Sequence, residues 1–179
     1  MKKGMTRERG HCLLARSLTL LLAAGLAACT ASAPPPDLMD DEAPPEPVGP
    51  GGIVDDIFAR VNAVRRQSGQ PILRERPELD ELARQHSLEM ATGKVPFGHT
   101  GYEKRLAAAV TSVGGRRGAE NVTYQRRPAE EVAEYAVARW MGSDRHRLNL
   151  LGGYSYAGAA AVRAEDGRWF VTWIVADGG

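Results

Sequence analysis

The chain has 179 residues, with Lys+Arg 23 against Asp+Glu 22, and two cysteines. That length holds one ordinary domain plus appendages, and the even charge balance excludes a dedicated nucleic-acid binder, which carries a basic excess. Two cysteines exclude both a disulfide-stapled scaffold and a four-thiolate zinc site.

Residues 1–16 carry Lys2, Lys3, Arg7, Arg9 and Arg16, and Met5 offers a second start codon beside Met1. The uncharged run SLTLLLAAGLAA, 17–28, follows. It is shorter than the roughly 20 apolar residues a membrane-spanning helix takes. A basic start, a short apolar centre and small residues at its end predict a secretory signal over 1–28. Cys12 lies inside that signal and is expected to be lost with it.

The run ends on Leu26-Ala27-Ala28-Cys29, which resembles the lipobox of bacterial lipoproteins. The resemblance implies that Cys29 becomes the lipidated first residue of the mature chain. Its thiol would form the thioether to diacylglycerol, and acyl chains would hold the protein on a membrane without a spanning helix. Ordinary cleavage near Ala31-Ser32-Ala33, with Cys29 discarded, is the alternative. Thr30 stands where some inner-membrane lipoproteins carry aspartate, which points outward, to the bacterial cell surface or outer membrane. From 29 to 52 the chain holds seven of its eleven prolines and five acids, with no base. Such a segment buries too little apolar area to offset ordering and is expected to be a disordered tether. Proline keeps it extended, to a reach of about 60 Å.

The folded domain is expected over 53–177. Ile53, Val54, Ile57, Phe58, Val61 and Val64 recur at helical spacing, so 53–68 reads as an amphipathic helix stopped by Gly69. Pro77 suits a first helical position, with Glu78, Asp80 and Glu81 in the first turn. That helix runs to Gly93, with His86 between Leu82 and Met90 as a core-edge histidine. Pro96 and Gly98 make 94–100 a loop. A short helix is expected over 102–110, then a mobile loop at Gly114, Gly115 and Gly118. Pro128 opens a further helix, PAEEVAEYAVARWM, buried along Val132, Tyr135, Ala136, Ala138 and Trp140. Residues 154–164 and 168–176 read as strands joined by a Glu165-Asp166-Gly167 turn. Trp169, Val171 and Trp173 then share one strand face. Helices first and paired strands last predict an α+β domain. The pairs Arg65-Arg66, Arg116-Arg117 and Arg126-Arg127 lie among acids and read as solvated faces.

Four pieces now stand in order: His99 after the second helix, Ala119-Glu120-Asn121, Trp140-Met141-Gly142-Ser143, and His146-Arg147-Leu148-Asn149-Leu150-Leu151. An aromatic hairpin closes the chain. This ordered set resembles the CAP superfamily, the cysteine-rich secretory, antigen 5 and pathogenesis-related proteins, in its bacterial form. The resemblance covers about 53–176. It implies an α-β-α sandwich, with helices flanking a small antiparallel sheet. It also implies a cleft shared by two histidines and two glutamates. By position His99, Glu120 and His146 match three of these, while the second glutamate falls on Ser143. Ala119 replaces the glycine before Glu120. Asp144 is a substitute carboxylate that no spacing requires. Asn149, three places after His146, completes the candidate ligand cleft with Ser143.

Two neutral imidazoles, His99 and His146, could ligate zinc or another divalent metal, weakly, since catalytic zinc usually has three protein ligands. Glu120 would then activate a bound water or orient a histidine. Without metal the same residues could form a polar network bracing the fold, with Asn121 bonding backbone. If 140–148 is helical, Ser143 and His146 share a face, and with Glu120 they offer a Ser-His-Glu set, though no G-x-S-x-G elbow accompanies it. The expected function is a non-catalytic binding module at the cell envelope, with no nucleic-acid partner. The alternatives are a metal-assisted hydrolase of envelope polymers or peptides, acting through Glu120, His146 and His99, and a lipid or sterol carrier.

Overall fold

The computed structural model describes residues 52–178. The expected signal, Cys29 and nearly all of the tether lie outside the described residues. Chain order is α1 (Ile53–Gln67), β1 (Arg74–Glu75), α2 (Pro77–Ala91), α3 (Tyr102–Val113), β2 (Gly118–Gln125), a single 3-10 turn (Ala129–Glu131), α4 (Val132–Met141), α5 (Asp144–Leu151), β3 (Tyr156–Arg163) and β4 (Trp169–Ala176). The four strands lie in the order β1-β3-β4-β2. The β3–β4 hairpin and the β4–β2 pair are antiparallel, while the two-residue β1 joins β3 in parallel.

Strand alternation sends side chains to two helical layers. Ala157, Ala159, Val171, Trp173 and Val175 face α1, α4 and α5, where they meet Ile57, Val61, Ala136 and Trp140. The Phe58 and Trp173 rings sit 4.9 Å apart there. Ala160, Ile174 and Ala176 face α2 and α3, meeting Leu79, Ala83 and Ala109. Met90, Val122 and Phe170 close one end of that second layer. The result is an α+β sandwich, helices on both faces of a small sheet. Burying a residue such as Ile57 or Val171 is worth roughly 1.5–3 kcal/mol.

The helix–sheet spacing depends on Gly158. A Cβ there would lie 2.2 Å from the Leu79 carbonyl carbon, so α2 can approach β3 this closely only over a glycine. At the same crossing the Ala159 N–H donates to Asp80 Oδ1 at 2.8 Å. Burial, with Glu75 and Glu78 nearby, pushes the Asp80 carboxyl from 3.8 up to about 6. A carboxyl whose folded pKa is raised favours the fold below its unfolded pKa, and this contribution is lost as pH rises through the folded value. Asp80→Asn keeps the acceptor for Ala159 and removes the charge. The variant should therefore be more stable than wild type above about pH 6, by about 1 kcal/mol once solvent screening is allowed for. The difference should vanish near pH 4. Parallel pH-dependence of unfolding in the two proteins would refute the assignment.

Several local expectations change. Residues 118–125 form β2, where the sequence offered a loop at Gly118 and an unassigned stretch after it. The segment AENVTYQ places polar groups on both faces, so its alternation is muted, and pairing along all of β4 specifies it. The glycine-rich loop before it is pinned. Asp177 Oδ1 accepts the N–H groups of Arg116 (2.6 Å) and Arg117 (2.8 Å). Residues 128–131 are not α-helical: Pro128 precedes the 3-10 turn, and α4 begins only at Val132. The buried stripe of α4 is Val132, Ala133, Ala136, Val137 and Trp140, with Ala138 exposed and Tyr135 half-buried. Arg65 departs furthest from expectation. It is fully buried rather than on a solvated face.

Candidate functional site

β2 is the free edge of the sheet, and its two faces hold two different polar clusters. Glu120 points to the α2–α3 side. Its side chain has no solvent exposure, so it needs a counter-charge. Arg105 of α3 supplies one through two hydrogen bonds, Nε to Oε2 at 2.5 Å and Nη2 to Oε1 at 2.9 Å. Such a fork-on-fork pair is the strong form of a charge-assisted bond. His99 Nδ1 also lies 2.9 Å from Glu120 Oε1. A carboxylate can only accept, so Nδ1 carries the proton that it donates. His99 is about half exposed (47%) and lines the cleft described below. Tyr102 packs edge-on against the imidazole at 5.8 Å.

His86 lies behind this cluster, 1% exposed. Its Nε2 is 2.8 Å from the Gly98 carbonyl, to which it donates, and 3.9 Å from Glu120 Oε1. Burial lowers its pKa, so it stays neutral. Its bond to Gly98 fastens the loop that carries His99.

Asn121 points to the other face, toward α5. Its Nδ2 donates to the His146 carbonyl at 3.0 Å. Asn149 Nδ2 donates to Asn121 Oδ1 (2.8 Å) and reaches the Glu120 carbonyl (3.3 Å). These bonds fasten α5 to the β2 edge and fix where His146 sits. Burial, then the neighbouring His99 and Arg139, lowers the His146 pKa, so its ring is neutral near pH 7.

His99 and His146 look into one open cleft of about 770 Å³ that runs along the β2 edge from Val122 to Gln125. Phe97 and Tyr124, each 45% exposed, form an aromatic shoulder, their rings 4.8 Å apart. Arg126, Arg127 and Arg139 line the wall, with Glu131 the one acid among the lining residues. Arg127 pairs with Glu131 at 2.8 Å and lies over the Tyr135 ring at 4.7 Å.

The candidates therefore separate by position. His99 and His146 line the cleft together. Glu120 lies beneath its floor, joined to His99 and sealed by Arg105. Asn149 lies behind the edge as a brace. Ser143 is the N-cap of α5: α4 stops at Met141 with Gly142 as its cap, and the backbone turns extended at Ser143. The continuous 140–148 helix that would put Ser143 and His146 on one face does not form, and neither Ser143 nor Asn149 lines the cleft. Asp144 is exposed and pairs with Arg147 at 2.8 Å.

A resident divalent metal does not fit this donor set. Zinc takes three or four protein ligands. The cleft offers two imidazoles, and both Glu120 oxygens are already committed. Among the described residues, no group of three or more His, Cys, Asp or Glu side chains is arranged to hold a metal ion. Glu120 likewise has no access to cleft water as a general base. It orients His99.

Sequence reasoning missed Arg105, Phe97, Tyr124, Tyr135 and Arg139. No local signal marks Arg105 among the domain's many basic residues. Only a carboxylate buried on the facing strand selects it. The Arg126-Arg127 pair, read as a solvated face, lies on the cleft wall.

Among curated proteins, none matches this chain in sequence. Solved structures do resemble it. An extracellular protein containing an SCP domain from Bacillus anthracis is 24% identical, with TM-score 0.56, over 70% of this chain and 40% of that one. A cysteine-rich secretory protein from Staphylococcus aureus is 21% identical, with TM-score 0.54, over 70% and 38%. This chain thus spans about two fifths of the length of those two proteins. An outer surface protein of Borrelia burgdorferi is 13% identical, with TM-score 0.57, over 70% and 94%. At these identities the likeness concerns the fold. The sequence itself carries the family: residues 58–176, from α1 to the end of β4, match the model of the cysteine-rich secretory protein (CAP) family, and the chain belongs to it.

Proposed function

We propose that this is an exported, envelope-anchored binding module whose cleft takes an anionic ligand. The carrying observation is the cleft wall. Three arginines line it against one glutamate, with Arg127 paired to Glu131 and Arg126 to Asp166, while the buried carboxylate that could offset the remaining charge, Glu120, is neutralised from behind by Arg105. A hydrolase reading has less support, because Glu120 has no exposed oxygen with which to activate water. A sterol or lipid carrier has less support, because the apolar shoulder of Phe97 and Tyr124 is flanked by Arg126, Arg127 and Arg139.

Binding to a soluble polyanion such as polyglutamate tests the reading. The Arg127→Glu, Arg139→Glu double variant should bind about tenfold more weakly or worse, and wild-type binding should fall as salt screens the wall. Equal affinity in the variant, or no binding by wild type at low salt, would count against it.

Export and anchoring rest on residues 1–29; export alone gains support from the neighbours, one an extracellular protein and another an outer surface protein. Cys29→Ala should move the full-length protein from the membrane fraction to the soluble fraction. Retention on membranes in that variant would rule out the lipid anchor.

A further inference from the structure

The cleft floor is a strand edge, and its backbone polarity can be worked out. Asp177 N–H donates to the Arg117 carbonyl at 2.9 Å, just beyond the Gly118–Ala176 pair. In an antiparallel ladder, hydrogen-bonded pairs recur at every second residue. The β2 residues bonded to β4 are therefore Ala119, Asn121, Thr123 and Gln125. Glu120, Val122 and Tyr124 turn both backbone groups to the free edge. Asn149 already occupies the Glu120 carbonyl. Val122 and Tyr124 are left, with two N–H and two C=O groups along the cleft and no other partner among the described residues. An edge strand with open groups is a template for another strand, and proteins usually blunt such edges. Here the edge is framed on both sides instead of covered.

We propose that an extended acidic peptide binds in this cleft as an added strand, pairing its backbone with Val122 and Tyr124. This rests on the anionic-ligand reading above and specifies the ligand class. Side chains of an added strand alternate between the two faces of the sheet. One set lies against the aromatic shoulder of Phe97 and Tyr124. The other set lies toward Arg127, Arg139 and Tyr135. The preferred peptide therefore alternates apolar and acidic residues, the apolar ones on the shoulder and the carboxylates on the arginines. Charge complementarity favours this occupant over a second copy of the domain, whose own β2 edge would bring a like-charged wall. The open stretch ends at Glu120 on one side and runs out toward Pro128, which has no N–H, on the other. It accommodates a segment of about four residues.

The test uses an acetylated, amidated peptide alternating glutamate and valine, its two N-methylated versions (one for each set of alternate amides), and inorganic polyphosphate. Strand addition uses only one set of peptide N–H groups. N-methylation of that set should weaken binding about tenfold or more, and N-methylation of the other set should change it little. The amides of Val122 and Tyr124 should exchange more slowly with the peptide bound and should be unaffected by polyphosphate. If all three peptides and polyphosphate bind alike, with no protection at Val122 and Tyr124, strand addition is overturned and a simple anionic cleft remains. If nothing binds even at low salt, the anionic-ligand reading itself falls, and this inference with it.

Discussion

Arg105→Met should lower the unfolding free energy by about 3–5 kcal/mol, because it strands the Glu120 charge in a site closed to water. The two guanidinium bonds are its principal compensation. Denaturant unfolding of the single variants Arg105→Met and Glu120→Gln and of the double variant measures the coupling. The double variant should be more stable than the sum of the singles predicts, by about 1–3 kcal/mol, since it removes charge and counter-charge together. A change within about 0.5 kcal/mol for Arg105→Met would mean that water reaches Glu120 after all. The same experiment reports on the cleft. With Glu120 mispaired, His99 loses its fixed tautomer, and polyanion binding should weaken beyond what the stability loss accounts for.

Arg65→Met is expected to be comparably damaging, for a different reason. Arg65 has no carboxylate partner. Its guanidinium donates to the carbonyls of Pro71 (2.7 Å), Leu150 (2.6 Å), Gly152 (2.9 Å) and Tyr154 (3.4 Å). The α5 C-terminus is thereby capped from α1, across a separation of 85 residues for the Leu150 bond. Burial lowers the Arg65 pKa, yet arginine keeps its proton at any physiological pH. Removing the head group leaves buried carbonyls unpaired, each costing about 1–3 kcal/mol. Only the Leu150 bond is fully buried, so a total loss of about 3–5 kcal/mol is expected rather than the full sum, measured by thermal or denaturant unfolding. Arg65→Lys should recover only part of it, because one ammonium cannot reach four carbonyls in a fixed fan. A lysine variant as stable as wild type would show that charge alone matters there. Since α5 carries His146 and Asn149, loosening its end should also disorder one wall of the cleft.

The sequence was informative where structure is local. The apolar spacing of Ile57, Phe58 and Val61 marked α1, and Pro77 marked the first residue of α2. The alternation of Trp169, Val171 and Trp173 marked β4 and its inner face, and Gly167 its turn. The ordered His99, Glu120 and His146 pointed to one region of the fold. Harder to read was β2, whose Glu120 and Asn121 are polar on both faces and are held by partners from α3 and α5. Its strand character comes from pairing with β4, not from its own pattern.

Composition, periodicity and residue order therefore indicated the α+β class and most element positions, and the resemblance to the CAP superfamily pointed to the pair of histidines. The fold decided what those residues do. Arg105, from a helix that gives no local cue, closes Glu120 off from solvent and leaves it bonded to His99. The edge position of β2, a property of strand order rather than of any residue, opens Val122 and Tyr124 beside three arginines. Both outcomes depend on which groups burial leaves without water. That is set by contacts between segments far apart in the chain, and no window of sequence contains them.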